Sequence, residues 1–335
     1  MAASSRSGVS GKVWALAAAI VLVIAVYTGG WFYAASALKE KTLAALGAQQ
    51  ARGMAAECTD AEYRGYPFRI GLFCSKISVD DSRNGIAASF GPLRSAAQIY
   101  QPNHIVWELD GPAETRTTHG LSVSSQWASL QSSLIAKLGG VERTSTVIEG
   151  LASTIVSSQT GQTFDLKVAH TEAHMRQNGA DLDAAVTLQD TDLAAKGLPQ
   201  LMPKFTASAD VTLAGKAGLL EGRDESGTGY YNSQGEIRRI SLDLGNGQVV
   251  SVTGPVSIDD QGRISGKLKV QVEKIDAWRK QLKAAMPQVA STIDTAAKML
   301  SALTGGGDRA TLDIVVNRGK IMAGGFIPLG QIPPI

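Results

Sequence analysis

The chain has 335 residues, with 32 Lys and Arg against 30 Asp and Glu. Arg6 and Lys12 precede the first apolar run, so the remainder of the chain carries 30 residues of each sign and is neutral. That balance excludes a strongly basic surface of the kind that binds nucleic acid or an anionic membrane face.

The first element is an apolar helix. No charged residue occurs from Val13 to Leu38, and no acid occurs before Glu40. About 20 apolar helical residues, rising about 1.5 Å each, cross a hydrocarbon core of roughly 30 Å. Basic residues stay on the cytoplasmic side, which predicts a single-pass inner-membrane protein with its N-terminus inside. The predicted organisation is a cytoplasmic tail (1–12), a transmembrane anchor (13–36), a juxtamembrane helix (37–52) and a periplasmic β-rich domain (53–335). The juxtamembrane helix continues the anchor as one rod through Leu38, Leu43 and Leu46. A cleaved signal peptide is the rival reading, because Ala35-Ser36-Ala37 has the form of a cleavage site. Trp31, Phe32 and Tyr33 suit a membrane–water interface and favour the anchor.

The two cysteines, Cys58 and Cys74, both lie beyond the anchor. An even count in an oxidising compartment points to one disulfide; a reduced structural pair is the alternative. Arg64-Gly65-Tyr66-Pro67 is a turn signal, and Phe68, Ile70, Leu72 and Cys74 then alternate as in a half-buried strand. A hairpin folded about Tyr66 would set 63 against 69 and 58 against 74, making the cysteines cross-strand neighbours.

Turn dipeptides then recur: Asn84-Gly85, Asp110-Gly111, Asn178-Gly179, Gln234-Gly235, Asn246-Gly247, Gln261-Gly262 and Arg318-Gly319. Between them run alternating or β-branched segments, the signature of hairpins. The fold class is therefore mainly β: a large curved antiparallel sheet domain after the N-terminal transmembrane helix. Ser124–Leu138 fits either a helix, through Trp127, Leu130, Leu134 and Leu138, or a strand.

Near the C-terminus, one long amphipathic helix is predicted from Asp276 to Leu303. Its stripe is Trp278, Leu282, Ala285, Val289, Ile293, Ala296, Leu300 and Leu303, stepped by threes and fours. Asp276 is placed to cap it, Gly305-Gly306-Gly307 to end it, and Pro287 to kink or split it. The stripe either packs on the sheet as core or covers an apolar groove. In the second case Trp278, Leu282, Val289, Ile293 and Leu300 form a lid.

Chemistry is sparse. His170 and His174 flank Glu172, but on a strand the two histidines stand about 13 Å apart, too far for one zinc; a solvated polar face is the better reading. Asp259-Asp260-Gln261-Gly262 is read as a turn rather than a calcium loop, for want of later ligands. No nucleophile elbow, phosphate loop, zinc-protease helix or dinucleotide fingerprint occurs. No catalytic residue, metal or cofactor is assigned, and the expectation is that the protein is not an enzyme.

A tryptophan late in the anchor, a short helix with Leu43 and Leu46, and Gly65-Tyr66-Pro67-Phe68-Arg69 together resemble the domain-of-unknown-function family 2125 of alphaproteobacterial envelope proteins. The resemblance covers the chain from Trp31 onward and implies an inner-membrane protein with a periplasmic β-rich domain, without an established activity. The C-terminal order of strand, turn, strand, long helix and last hairpin is more distantly similar to AsmA-like periplasmic proteins. Those are implicated in lipid homeostasis of the outer envelope, an analogy of fold. Two functions are expected on these grounds: binding of lipid or a hydrophobic chain in an apolar groove, or an anchored scaffold for other envelope proteins.

Overall fold

The computed structural model describes residues 11–50, 54–82, 85–137, 140–198, 200, 202–221, 229–303, 307–325 and 327–334. Helix α1 runs unbroken over Gly11–Gln50, and its stretch Gly11–Thr42 is long and apolar enough to cross a membrane. The segments expected as anchor and juxtamembrane helix thus form one rod. The side chains of Leu43 and Leu46 lie outside the described residues.

Twenty strands among the described residues form one antiparallel sheet. The first ten are β1 (Met54–Thr59), β2 (Glu62–Arg64), β3 (Arg69–Cys74), β4 (Lys76–Asp81), β5 (Ile86–Phe90), β6 (Leu93–Gln98), β7 (Gln101–Leu109), β8 (Ala113–Thr117), β9 (Leu121–Gln126) and β10 (Ser129–Lys137). They behave as five long strands, each broken once. β1 pairs with β4 and β2 with β3 in a single register that carries across the break. The same holds for β4–β5 and β3–β6. β11 (Gly140–Ser157) receives both arms on one edge: β10 along its first half and β9 along Ala152–Ser157. From β11 each strand pairs with the next through β12 (Thr163–Asn178), β13 (Asp181–Ala195), β14 (Phe205–Leu213), β15 (Ser233–Asp243), β16 (Val249–Ile258), β17 (Ile264–Glu273), β18 (Arg309–Asn317), β19 (Lys320–Ala323) and β20 (Ile327–Gln331).

The breaks have local causes. Asp60 and Gly150 sit at positive φ, 53° and 63°, which turns the backbone out of the pleat. At Gly91 a Cβ would lie 2.6 Å from the Asp110 carbonyl oxygen, so only glycine permits that close approach. Trp127 falls at the break between β9 and β10 and donates from Nε1 to the Leu109 carbonyl at 2.8 Å. This settles Ser124–Leu138 as strand as far as Lys137, with Leu138 outside the described residues. Leu130 and Leu134 are four apart, a spacing that also keeps one face of a strand.

Cys74 near the first break, Val168 and Thr191 in the central strands, and Ala310 and Val316 in β18 are nearly inaccessible. Over much of its area the sheet is one layer thick. The chain exposes 20664 Å², whereas a compact protein of its 35.1 kDa exposes roughly 13,000 Å². The bare anchor accounts for part of the excess. The open sheet contributes as well: every residue of β14 is half-buried, on both faces.

Four expectations need correction. First, the leading hairpin places Tyr63 opposite Leu72 and Cys58 opposite Ile77, not Arg69 and Cys74. Its loop is wider because Gly65 accepts from the Arg69 amide at 2.9 Å and the residues between turn toward α1. Second, Asp110-Gly111 is a strand break rather than a hairpin, and Gly235 lies inside β15, where a Cβ would meet the Thr212 carbonyl oxygen at 2.3 Å. Third, the one long helix is split rather than merely kinked, the stronger of the two effects expected of Pro287: α2 (Ile275–Ala285) and α3 (Ala290–Leu303) are separated by a 3-10 turn at Pro287–Val289. Proline lacks the amide that would continue α2. Fourth, Asp276 does not cap α2; Asp308 does, accepting from the Asp276 amide at 3.1 Å, while Lys274 occupies the cap position. Of the triglycine, only Gly307 lies among the described residues. Asn178-Gly179, Asn246-Gly247, Gln261-Gly262 and Arg318-Gly319 do join consecutive strands, while Asn84 lies outside the described residues.

Candidate functional site: the anchor junction and the two sheet faces

The Gly65–Arg69 motif is where α1 meets the sheet. Gly65 takes φ 120°, and a Cβ there would sit 2.9 Å from the Arg69 carbonyl oxygen. The Tyr66 ring is held between Phe32, stacked at 5.9 Å, and Trp31, edge-on at 5.6 Å. Trp31 Nε1 donates to the Arg69 carbonyl at 3.0 Å. Tyr27 donates its hydroxyl hydrogen to the Pro67 carbonyl, and the Thr28 and Tyr66 hydroxyls are 2.8 Å apart. Further along the rod, the Thr42 and Tyr63 hydroxyls share a hydrogen bond at 2.7 Å. Trp31 and Ala35 are buried. Tyr27, Trp31 and Ala35 are spaced by fours, a helix-face signal that could have revealed this seam. Phe68 takes no part in it and is 69% exposed.

Cys58 and Cys74 are joined by a disulfide. The corner explains the pairing despite the shifted register. Ser75 donates its amide to the Thr59 carbonyl at 2.9 Å, folding both strands so that the cysteines, 5.3 Å apart at Cα, meet diagonally. The bond ties β1 to β3, one strand from each arm.

Residues opposite in register share a sheet face. On β11–β15 one face is polar. His170 bonds Glu149 at 2.8 Å and Glu172 at 2.9 Å, and His174 bonds Ser145 at 3.0 Å. The hydrogen bonds to Glu172 and Glu149 raise the His170 pKa above its ordinary value. Asp183 is buried yet charged. Its carboxylate accepts from Thr212 at 2.7 Å, Arg238 at 2.8 Å and Arg176 at 3.0 Å. Those bonds, that from Thr212 foremost, outweigh desolvation and hold its pKa at about 2. These groups satisfy one another, and among the described residues no three His, Cys, Asp or Glu are placed to hold a metal. A groove of about 560 Å³ lies on this face beside the junction, lined by Arg69, Phe73, Arg94, Val106, Glu108 and Gln131 among others. Arg94 is paired with Asp110 at 2.6 Å and Glu108 at 3.3 Å.

The opposite face of the same strands is apolar: Ala173 and Met175 on β12, Val186 and Leu188 on β13, Ala209 and Val211 on β14, Ile240 and Leu242 on β15, Val250 and Val252 on β16. Met175, Val186 and Ile240 are 40%, 37% and 38% exposed, values foreign to a covered core, while Leu182 and Ile237 toward one edge of the face are buried.

α2 and α3 occupy one end of this face. Ile275 and Ala297 are buried against Ala310 of β18, with Val272 and Leu300 packed alongside. Lys283 donates to Asp294 at 2.6 Å and fastens the two helices together. Of the stripe, Trp278, Leu282, Ile293 and Leu300 are half-buried, while Val289 is 39% exposed. None of these five lines the 560 Å³ groove.

No curated protein and no solved structure matches the chain. A family described as an uncharacterised protein conserved in bacteria, DUF2125, matches residues 31–333, from the buried tryptophan of the junction almost to the C-terminus. The chain is a member of the DUF2125 family.

Proposed function

We propose that this protein is a non-enzymatic, inner-membrane-anchored protein with its N-terminus in the cytoplasm, and that its periplasmic sheet binds lipid or a hydrophobic chain. The observation that carries the reading is the uncovered apolar face of β12–β16. Apolar surface left open costs roughly 25 cal/mol per Å² relative to burial, and contiguous patches of this kind mark binding surfaces. The arrangement suits a long apolar ligand lying across strands. Trp278, Leu282, Ile293 and Leu300 would wall the C-terminal end of its path, and Val289 would face the ligand. Arg6 and Lys12 ahead of an uncharged run support the orientation, and an oxidising periplasm suits the disulfide.

The test is photo-crosslinking in native membranes. A photoreactive side chain at Met175, Val186 or Ile240 should yield lipid adducts by mass spectrometry, and one at Gln189 on the polar face should not. Adducts with protein alone would remove the lipid reading and favour a scaffold for envelope proteins.

A further inference from the structure

The junction fixes the height of the sheet relative to the membrane. Tyr27 and Trp31 lie 14 and 18 residues beyond Val13, the start of the uncharged run, so about 21 and 27 Å along the helix. These residues therefore grip the Tyr66–Arg69 turn within about 3–9 Å of the far edge of a hydrocarbon core of about 30 Å. The neighbouring turn is tied to it: the Ile99 amide donates to the Phe68 carbonyl at 3.1 Å. Both turns end in bare apolar side chains, Phe68 at 69%, Ile99 at 38% and Tyr100 at 76% exposed. No acidic residue occurs between Ser82 and Trp107, nor between Tyr63 and Val79, so no carboxylate on either turn would resist an anionic headgroup layer.

We infer that the turns carrying Phe68 and Tyr100 are seated in the lipid leaflet from which α1 emerges. The partner is the bilayer itself. Aromatic rings belong at the headgroup boundary, where turn backbone stays hydrated as it must, and rings inserted there reach about 5–10 Å inward. The end of the sheet is thereby held against lipid, with no gap of water between the leaflet and the first strands. The inference rests on α1 crossing the membrane, as proposed above.

The experiment uses the full chain in vesicles of phosphatidylethanolamine and phosphatidylglycerol. The native cysteines are paired, so a single added thiol can be labelled with an environment-sensitive fluorophore. Phe68→Cys and Tyr100→Cys are compared with Thr160→Cys, in the turn at the far end of β11, and with Val21→Cys inside α1. Nitroxides near the lipid headgroup should quench positions 68 and 100 several-fold more than 160, and deep nitroxides should quench 21. Quenching at 21 with positions 68 and 100 no different from 160 would overturn the inference while leaving the span intact. No quenching at 21 would overturn the span and this inference with it.

Discussion

The anchor junction and the central strands are built on opposite principles. At the junction, within some 40 residues of sequence, three aromatic rings surround Tyr66, four hydrogen bonds link helix to hairpin, and a disulfide closes the corner behind. In β12–β16 the apolar face is covered only in part: Leu182 and Ile237 are buried, but Met175, Val186 and Ile240 stay more than a third exposed, and polar side-chain contacts gather around Asp183 on the other face. The protein ties its sheet to the helix with specific contacts and leaves much of an apolar sheet face open. A surface kept open in this way is available to a ligand, whereas the junction is available for nothing except holding position.

The most severe challenge to that contrast is at the corner. Cys74→Ser should lower stability by roughly 2–4 kcal/mol, read by chemical unfolding, and non-reducing peptide mapping of the parent should link Cys58 to Cys74. A cost below about 1 kcal/mol, the scale of an ordinary point substitution, would mean that the junction holds without its disulfide. In the central sheet, Asp183→Ala removes hydrogen bonds from Thr212, Arg176 and Arg238 and should cost about 2–3 kcal/mol. Its carboxyl pKa is lowered to about 2 from 3.8. The contribution is therefore present above pH 4 and is lost as pH falls through 2, about 2 kcal/mol in all. Unfolding measured between pH 5 and 2 should show a shallower acid loss in Asp183→Ala; an unchanged slope would place the acid sensitivity elsewhere.

Two smaller effects concern the helical end. Asp308→Ala removes the side-chain acceptor at the start of α2 and should cost about 1 kcal/mol. Asp276→Ala should be nearly silent, which separates the observed cap from the one expected by sequence. Val289→Asp changes an exposed position and should shift stability by no more than about 0.5 kcal/mol, while lowering lipid recovery if the ligand path passes it. A large loss of stability there would mean that the helix pair is core after all.

The apolar run, the alternating strands with their Asn-Gly turns, and the three-and-four stripe around Pro287 are local signals. Their physics acts within a few residues: transfer free energy, pleat period and the missing proline amide. They suffice for a helix long and apolar enough to cross a membrane, a β-rich domain, a split near the C-terminal proline and the cysteine pairing. The strand breaks were not legible, because Asp110-Gly111 reads as a hairpin turn until β8 and β7 are seen to pair with β5 and β6 on either side of it, one residue out of register. Nor was the role of Tyr66, whose partners Phe32 and Trp31 lie more than 30 residues earlier. The amphipathic pattern of β12–β16 states only that one face prefers to leave water. Whether a second layer, a ligand or nothing covers that face depends on where the rest of the chain goes. Long-range packing leaves the middle of it open, because α1 is gripped by the first hairpin and the last two helices gather against β18 at one end.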